Sequence, residues 1–559
     1  MKTLSLKAAS RGLLVAAASA ALFAAVAGPA AAAPRWVSGD LQTHSYLTDG
    51  KQTLTDVMRN GFSVNGLDYI ANAEPGGQSK VDPAGLSFVS PVWRWITLSN
   101  SSFPAVLSGR ADYPERQVLQ GLDWNVPTHD TATVGIVGAG NEPSGISNFE
   151  YHFDSADADL SRAGEGTKAV TDAITGDVYV PAMPFVKNNA TGSDMLTGLD
   201  WLEENYGGQS YAVVDHPSRK NLWTIGDFRA MNDLAPDVAI GFEGIPGHQA
   251  ANARGDYGQT IAANGTVTTD PAQADATLTA HARTYGGADW MVANVGGVWD
   301  ALLGEGRHWW VFDNSDFRLT STAYKDAANV NTIGLDYFDF WPGQYNKTYT
   351  YVKQFTDQGL VDGLDSGNSY IVDGDLINGL KFSVTDGTRS ATMGGTLNTT
   401  AGKTLTVTIA VKSPKVNNDG DPVRLDHVDL ISGDVTGLIP ATDAAYTSSA
   451  ANASTKIAKT FAKANWTVTH GWKVMTFKIK ASKDMYFRLR GTNWAKGATN
   501  QTDASGNPLA DTLDYIDYPN PKTGGLKPDG SADLVHGNTP DNAWADLWFY
   551  ANPVFVNVK

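Results

Sequence analysis

The sequence predicts an α/β domain followed by an all-β domain, and three observations carry that prediction. Between residue 40 and about residue 340, short apolar runs alternate with longer stretches of helical character. Several of these runs end in ionisable residues. After about residue 375 the texture changes to period-two alternation interrupted by Gly, Asn, Asp and Pro. A chain of 559 residues exceeds one ordinary core, so two or three domains are expected.

Taken in order, Lys2, Lys7 and Arg11 precede an apolar run from Leu13 to Val26 and the small-residue stretch AGPAAAAPRW, which offers A-x-A cleavage near Ala33. That is the pattern of a secretory signal peptide, predicted over residues 1–33. The run stops at Gly28-Pro29 and no comparable one follows, so no membrane span is expected after cleavage. The predicted location is secreted or periplasmic. The chain has no cysteine, which leaves stability after export to packing and to metal.

The apolar runs LDYIANAE (67–74), ATVGIVGAG (132–140), YAVVDHPSR (211–219), VAIGFEG (238–244) and WWVFDNSD (309–316) read as parallel strands buried on both faces. Segments 54–63 and 298–306 fit helices between them. Glu74, Asp215-His216, Glu243, Asp313 and Asp316 stand at or near the ends of these runs. In a (β/α) barrel such ends converge on one rim, where residues distant in sequence can build a site. TLTVTIAVKS (404–413), HVDLISGDV (427–435), WKVMTFKIKAS (472–482), MYFRLRGTN (485–493) and LWFYANPVFVNV (547–558) predict an antiparallel β-sandwich. The expected domains are residues 34–370 and 371–559. Seven of the ten histidines lie before residue 340, which places the chemistry in the first of them.

The net charge of −17 argues against nucleic acid as the main partner, because phosphate-backbone binding draws on an excess of Lys and Arg. A small phosphorylated substrate in a locally positive pocket remains compatible. The sequence does not reveal an oligomeric state.

Five motifs occur in order across residues 40–318: D-x-Q-T-H-S-x-x-x-D-G, a run ending N-A-E-P-G-G, G-L-D-W-N-V-P-T-H-D, V-V-D-H-P and S-D-F-R. This ordered set resembles the PHP family, the polymerase and histidinol phosphatase metallo-phosphoesterases. The resemblance implies a distorted (β/α)7 barrel whose strand ends hold divalent metals, here followed by a sandwich-like β-domain as in secreted members.

Carried over by position, the resemblance makes His44 the second histidine of the opening motif and Asp49 the acceptor before its glycine. Gln42 stands where the first histidine belongs, Glu74-Pro75 where Asp-His would end the second strand, and Arg318 where the last histidine would be. Asp123 falls at the bridging carboxylate, with His129 as the histidine after it. His216 and Asp316 match the late strand-end ligands. Because Pro75 cannot coordinate and Arg318 is cationic, a third metal is not expected. The resemblance implies two ions of Zn, Mn or Fe, one held by Gln42, His44, Asp123 and Asp316 and the other by Asp123, His129 and His216.

Arg318 either grips a phosphate bidentately or forms an ion pair with Glu74 or Asp313. His248, in GFEGIPGH, is a candidate substrate-loop residue, although its glycines also suit a plain turn. Asp154, Asp157 and Asp159 in DSADADLSR lack the pattern of a calcium loop and read as a solvated turn. The expected activity is hydrolysis of a small phosphomonoester or phosphodiester by a metal-activated water, with Arg318, Glu74 and His248 as candidate catalytic residues. The alternative is a barrel without catalysis that acts as a ligand-binding or cell-surface module.

Overall fold

Nine strands frame the site: β1 (Arg35–Thr43), β2 (Tyr69–Pro75), β3 (Gln117–Asn125), β4 (Thr131–Ile136), β5 (Ser210–Val214), β6 (Ala239–Ile245), β7 (Trp310–Asp313), β8 (Asn346–Val352) and β9 (Ser369–Asp373). They lie side by side in the order β7-β6-β5-β4-β3-β2-β1-β8-β9. The structure is a computed structural model that describes residues 33–138, 142–162, 170–171, 178–179, 186–251, 254–257, 259–261, 267–269, 283–318, 339–511, 517–519, 534–536 and 540–559. The predicted leader, apart from Ala33, lies outside the described residues.

Each apolar run identified in the first half holds a strand, but one runs against expectation. β1 and β2, β2 and β3, β5 and β6, and β6 and β7 pair in parallel. β4, expected to be parallel, is antiparallel to both β3 and β5. The reason is the connection: β3 ends at Asn125 and β4 begins at Thr131, a link far too short for a crossover helix, so the chain turns straight back.

The pairings therefore do not form a closed ring of seven parallel strands. Among the described residues, β7 approaches β1 only beyond its own end. Thr43 makes a single parallel bridge to Phe317, His44 N donates to Phe317 O at 2.9 Å, and Leu41 N donates to Asn314 Oδ1 at 2.8 Å. β1 and the loop after β7 are thus joined next to the residues that matter chemically.

Helices α1 (Phe103–Asp112), α2 (Glu142–Phe153), α3 (Gly192–Tyr206), α4 (Ile225–Leu234) and α5 (Val298–Gly304) connect the strands. α4 begins at a capping box: Asp227 N donates to Thr224 Oγ1, and the Asp227 carboxylate accepts from Thr224 N. Leu199, Leu202, Phe228, Met231, Trp299 and Leu302 of the last three helices share one core with Val134, Val213, Phe242 and Val311 of the sheet. No helix among the described residues is long and apolar enough to cross a membrane.

The all-β expectation holds as two facing sheets, one of which continues the first region's sheet. Beyond β9 come strands 548–558, 485–492, 427–434 and 456–462. A five-stranded sheet of 390–392, 379–385, 404–412, 472–480 and 467–469 faces them. Phe382, Val407 and Ile409 meet Leu430, Phe487 and Val554 in their common core. β9 itself spans residues 369–373, across the expected boundary between residues 370 and 371.

Candidate functional site

β1 is irregular between Asp40 and Thr43, where it ends, and Asp40, Gln42 and His44 along and just beyond this stretch are all fully buried. Asp40 accepts from Gln42 N at 3.0 Å and from Ser315 N at 3.1 Å, which ties the end of β1 to the loop after β7. Burial pushes the Asp40 carboxyl up to about 7.

His44 sits between three carboxylates. Its Nδ1 is 2.8 Å from Asp49 Oδ1, and its Nε2 is 3.5 Å from Asp316 Oδ1 and 3.6 Å from Asp123 Oδ2. Burial works to lower its pKa, but Asp49 outweighs burial and lifts it to about 9.

Asp316 gathers further positive groups. His248 Nε2 lies 2.8 Å away, Arg318 Nη2 3.2 Å and Arg219 Nη1 3.4 Å. Burial alone would raise this carboxyl, yet Arg318 and His248 hold it well below the usual carboxylate range. His248 is clasped from the other side by Asp339, with Nδ1 2.6 Å from Oδ1. Burial lowers its pKa, and the two carboxylates more than reverse this, pushing it to about 10. Arg318 also reaches Asp49 at 3.4 Å and donates its backbone N–H to Asp339 at 2.7 Å. Among the described residues, Asp316 and Asp49, rather than Glu74 or Asp313, are the carboxylates that pair with the Arg318 guanidinium.

His216 belongs to a neighbouring group with the opposite electrostatics. Its Nδ1 is 3.3 Å from Asp130 Oδ2, and its backbone N–H donates to Glu243 Oε2 at 2.9 Å. Burial, then the Arg219 charge, lower its pKa to about 4. Burial and the Asp316 charge raise Glu243 to about 8.

Three of these residues are in the left-handed region that non-glycine residues avoid: His216 (φ 28°), His248 (φ 56°) and Asp316 (φ 47°). All three follow the end of a strand. Such backbone costs of order 1–3 kcal/mol per residue and persists where surrounding contacts impose it.

The fold thus brings together His44, Asp49, Asp123, His248, Asp316 and Arg318, with Gln42 buried two residues before His44. Glu74 is attached from the side: its carboxylate accepts the hydroxyls of Ser45 and Thr48 and pins the turn after His44. His129 lies apart, 3.5 Å from the α4 capping residue Asp227 and stacked on Trp223. The next residue, Asp130, is the one that faces the site. Sequence reading missed Asp130, Arg219 and Asp339. Arg219 had a signal, since it closes the same V-D-H-P-S-R run as His216, whereas Asp339 stands in no pattern.

The three aspartates of DSADADLSR are buried rather than solvated, while the residues between them are exposed. Asp154 accepts from Asn125 N at 2.9 Å, Asp157 pairs with Lys187 at 2.9 Å, and Asp159 accepts from Trp95 Nε1 at 2.9 Å. The first of these anchors the residue after α2 to the end of β3.

The two-metal arrangement can be tested against these donors. His44 Nε2, Asp123 Oδ1, Asp316 Oδ1 and both polar atoms of Gln42 are buried without a hydrogen-bond partner, as ligand atoms would be. However, among the described residues no three or more His, Asp and Glu are arranged to hold a metal ion. Asp316 and Asp49 face guanidinium and imidazole groups instead, and His129 is elsewhere. The residues present do not fit the expected pair of ions.

No family model matches the chain, and no curated protein matches it. Among solved structures, it is similar to a two-domain protein from Bacteroides vulgatus containing a predicted PHP-like metal-dependent phosphoesterase, at 10% identity and a TM-score of 0.33 over 91% of this chain and 97% of that one. A likeness this loose bears on neither fold nor chemistry.

Proposed function

We propose that this chain is an exported phosphoesterase of the PHP kind, built on a distorted barrel, that cleaves a small phosphomonoester or phosphodiester at the strand ends around Asp316. One observation carries the reading: buried histidine, carboxylate and arginine groups from the ends of β1, β3, β5, β6 and β7 converge there, and three of them are held in strained backbone. Stability alone does not favour such an arrangement, whereas catalytic sites do.

The cluster contains both partners of general acid–base chemistry. His216, its pKa lowered by burial, would take the proton of an attacking water as its oxygen bonds to phosphorus. His248, its pKa raised by Asp316 and Asp339, would leave one of those carboxylates to give a proton to the leaving oxygen as the P–O bond breaks. Arg318 stands at the mouth, its side chain 26% exposed, where a guanidinium suits phosphate oxygens.

The test is release of nitrophenol from 4-nitrophenyl phosphate and from its bis-ester, with chelator and with added Mn²⁺ or Zn²⁺. Turnover of one ester is expected, falling about 10²-fold in kcat for His248→Gln. Absence of turnover under every condition would sink the enzyme reading and favour the ligand-binding module.

A further inference from the structure

The outer face of the five-stranded sheet carries the charge opposite to the chain's own. The net charge is −17, yet strands 379–385, 390–392, 404–412, 467–469 and 472–480 contain five lysines and no aspartate or glutamate. Alternation sorts their side chains between two faces. Phe382, Val407, Ile409 and Met475 enter the core between the sheets, so Lys381, Lys412, Lys478 and Lys480 stand on the opposite face, and all four are exposed. The fifth, Lys473, has the parity of Met475 and donates to Ser413 Oγ at 3.3 Å. We infer that the outer face binds an acidic polysaccharide laid along the strands.

The register sets the shape of the ligand. Gly379 pairs with Lys412 and Lys381 with Ala410, which puts two ammonium groups at one end. Lys478 and Lys480 pair with Thr406 and Thr404 at the other. The nine-residue strand 404–412 runs from one end to the other, about 27 Å at about 3.4 Å per residue. Between the two ends, Ser383, Thr385, Thr406, Thr408 and Thr476 share the outward parity and none is fully buried. A small anion meets one end only. A chain of repeated negative charges meets both, and the hydroxyls between them can hydrogen-bond its sugars.

Carboxylates border this face without pairing with its lysines. Among the described residues none of the four ammonium groups faces a carboxylate at ion-pair distance. Lys480 donates instead to Thr404 Oγ1 at 2.8 Å and to Gly402 O at 3.3 Å, and Lys381 Nζ lies 4.8 Å from the Trp472 ring centroid. In the bordering loops, Asp375 pairs with Lys347 at 2.6 Å, Asp386 with Arg389 at 3.3 Å, and Asp484 accepts from Val558 N at 2.6 Å. Asp419 and Asp421 follow Lys412 in a loop whose Asn418 bonds the carbonyls of Gly343 and Gln344, and Lys415, exposed in the same loop, offsets part of their charge. With a screening length of about 8 Å at physiological salt, a ligand on this face responds to these groups more than to acidic residues elsewhere. Single-stranded nucleic acid calls for several stacking aromatics, but of the aromatics in these strands Trp472 alone has the outward parity. A lipid surface calls for protruding apolar side chains, whereas Ala410 is buried and Val474 half-buried.

The test is native electrophoresis of the full chain through gels cast with polygalacturonate, dextran sulfate or neutral dextran. At least one acidic polymer should retard the wild type, and neutral dextran should not. Lys478→Gln with Lys480→Gln, and Lys381→Gln with Lys412→Gln, should each weaken binding about tenfold, and the fourfold variant should abolish it. Lys456→Gln with Lys459→Gln removes the same charge from the other sheet and should bind like the wild type. Circular dichroism establishes that each variant is folded; if the fourfold variant is not, the two pairs decide the matter. Retardation by neither acidic polymer, or an equal loss in the Lys456 and Lys459 control, would overturn the inference. Tighter binding of phosphatidylglycerol vesicles or of poly(dT) through the same lysines would do so too. Ester turnover is not part of the readout, so either result leaves the phosphoesterase reading untouched.

Discussion

Asp316 is the residue on which the charges of the site turn. Its carboxylate faces Arg219, Arg318, His248 and His44, so Asp316→Ala strands several buried cations at once. Breaking a buried ion pair from one side costs about 3–5 kcal/mol, and chemical denaturation should show a loss of that order. His248 supplies a pH signature. Its folded pKa of about 10 lies above the ordinary 6.5, so its stabilisation is complete below about 6.5 and is lost as pH rises through 10. The stability gap between wild type and His248→Gln should narrow from pH 6.5 upward and close near pH 10, as read from denaturation curves at each pH. His216, depressed to about 4, has the opposite sign: its contribution is present above 6.5 and lost as pH falls toward 4. Side-chain NMR should therefore find the two imidazoles titrating on opposite sides of neutrality.

Among the elements, the turn after β6 does the most to place the site. Gly247 allows this turn to lie directly on the loop after β7, because a Cβ there would sit 2.3 Å from both Asp316 Cβ and Ser315 O. Gly247→Ala must push Asp316 away from His248, at a cost of about 1–3 kcal/mol for overpacking. Turnover should fall with it, and an alanine variant unchanged in both stability and rate would show that another contact holds Asp316. The strands themselves were legible, since apolar runs of five to seven residues rich in Val and Ile mark buried strands. The direction of β4 was not, because direction depends on the length of the link and on what packs beside it, neither of which periodicity encodes. The capping role of Asp227 explains His129 in the same way: the histidine stands at motif spacing, yet a helix terminus claims it.

Across the whole molecule, the region that holds the candidate site and the β-rich region share one sheet. β9 pairs with strand 548–558, and Val311 N of β7 donates to Asn552 Oδ1 at 3.0 Å. Arg488 forks onto Asp300 of α5 with two bonds of 2.7 Å, both side chains fully buried, and its guanidinium lies 4.7 Å from the Trp299 ring centroid. Arg488→Leu leaves Asp300 buried with much of its charge unanswered, and a loss of about 3–5 kcal/mol is expected in denaturant unfolding. A chain cut after residue 370 removes most of β9, Ile371 included, together with its partner strand, and bares Trp310 of the shared core. It should fail to give a cooperative unfolding transition, and a cooperative one would show that the first region folds alone.

By itself the sequence determined the strands, the change of texture near residue 375 and the strand-end positions of His44, His216, Glu243 and Asp316, because these follow from local periodicity and from the order of residues along each run. Only the tertiary structure decided which of those ends meet. Arg219 and Asp339 join the site through contacts across 97 and 91 residues, and His129 leaves it for a helix cap. Charge pairing is a property of approach in space, so a motif can nominate His44 and Arg318, but only the packed strands show that Arg318 answers the carboxylates His44 was expected to share with a metal.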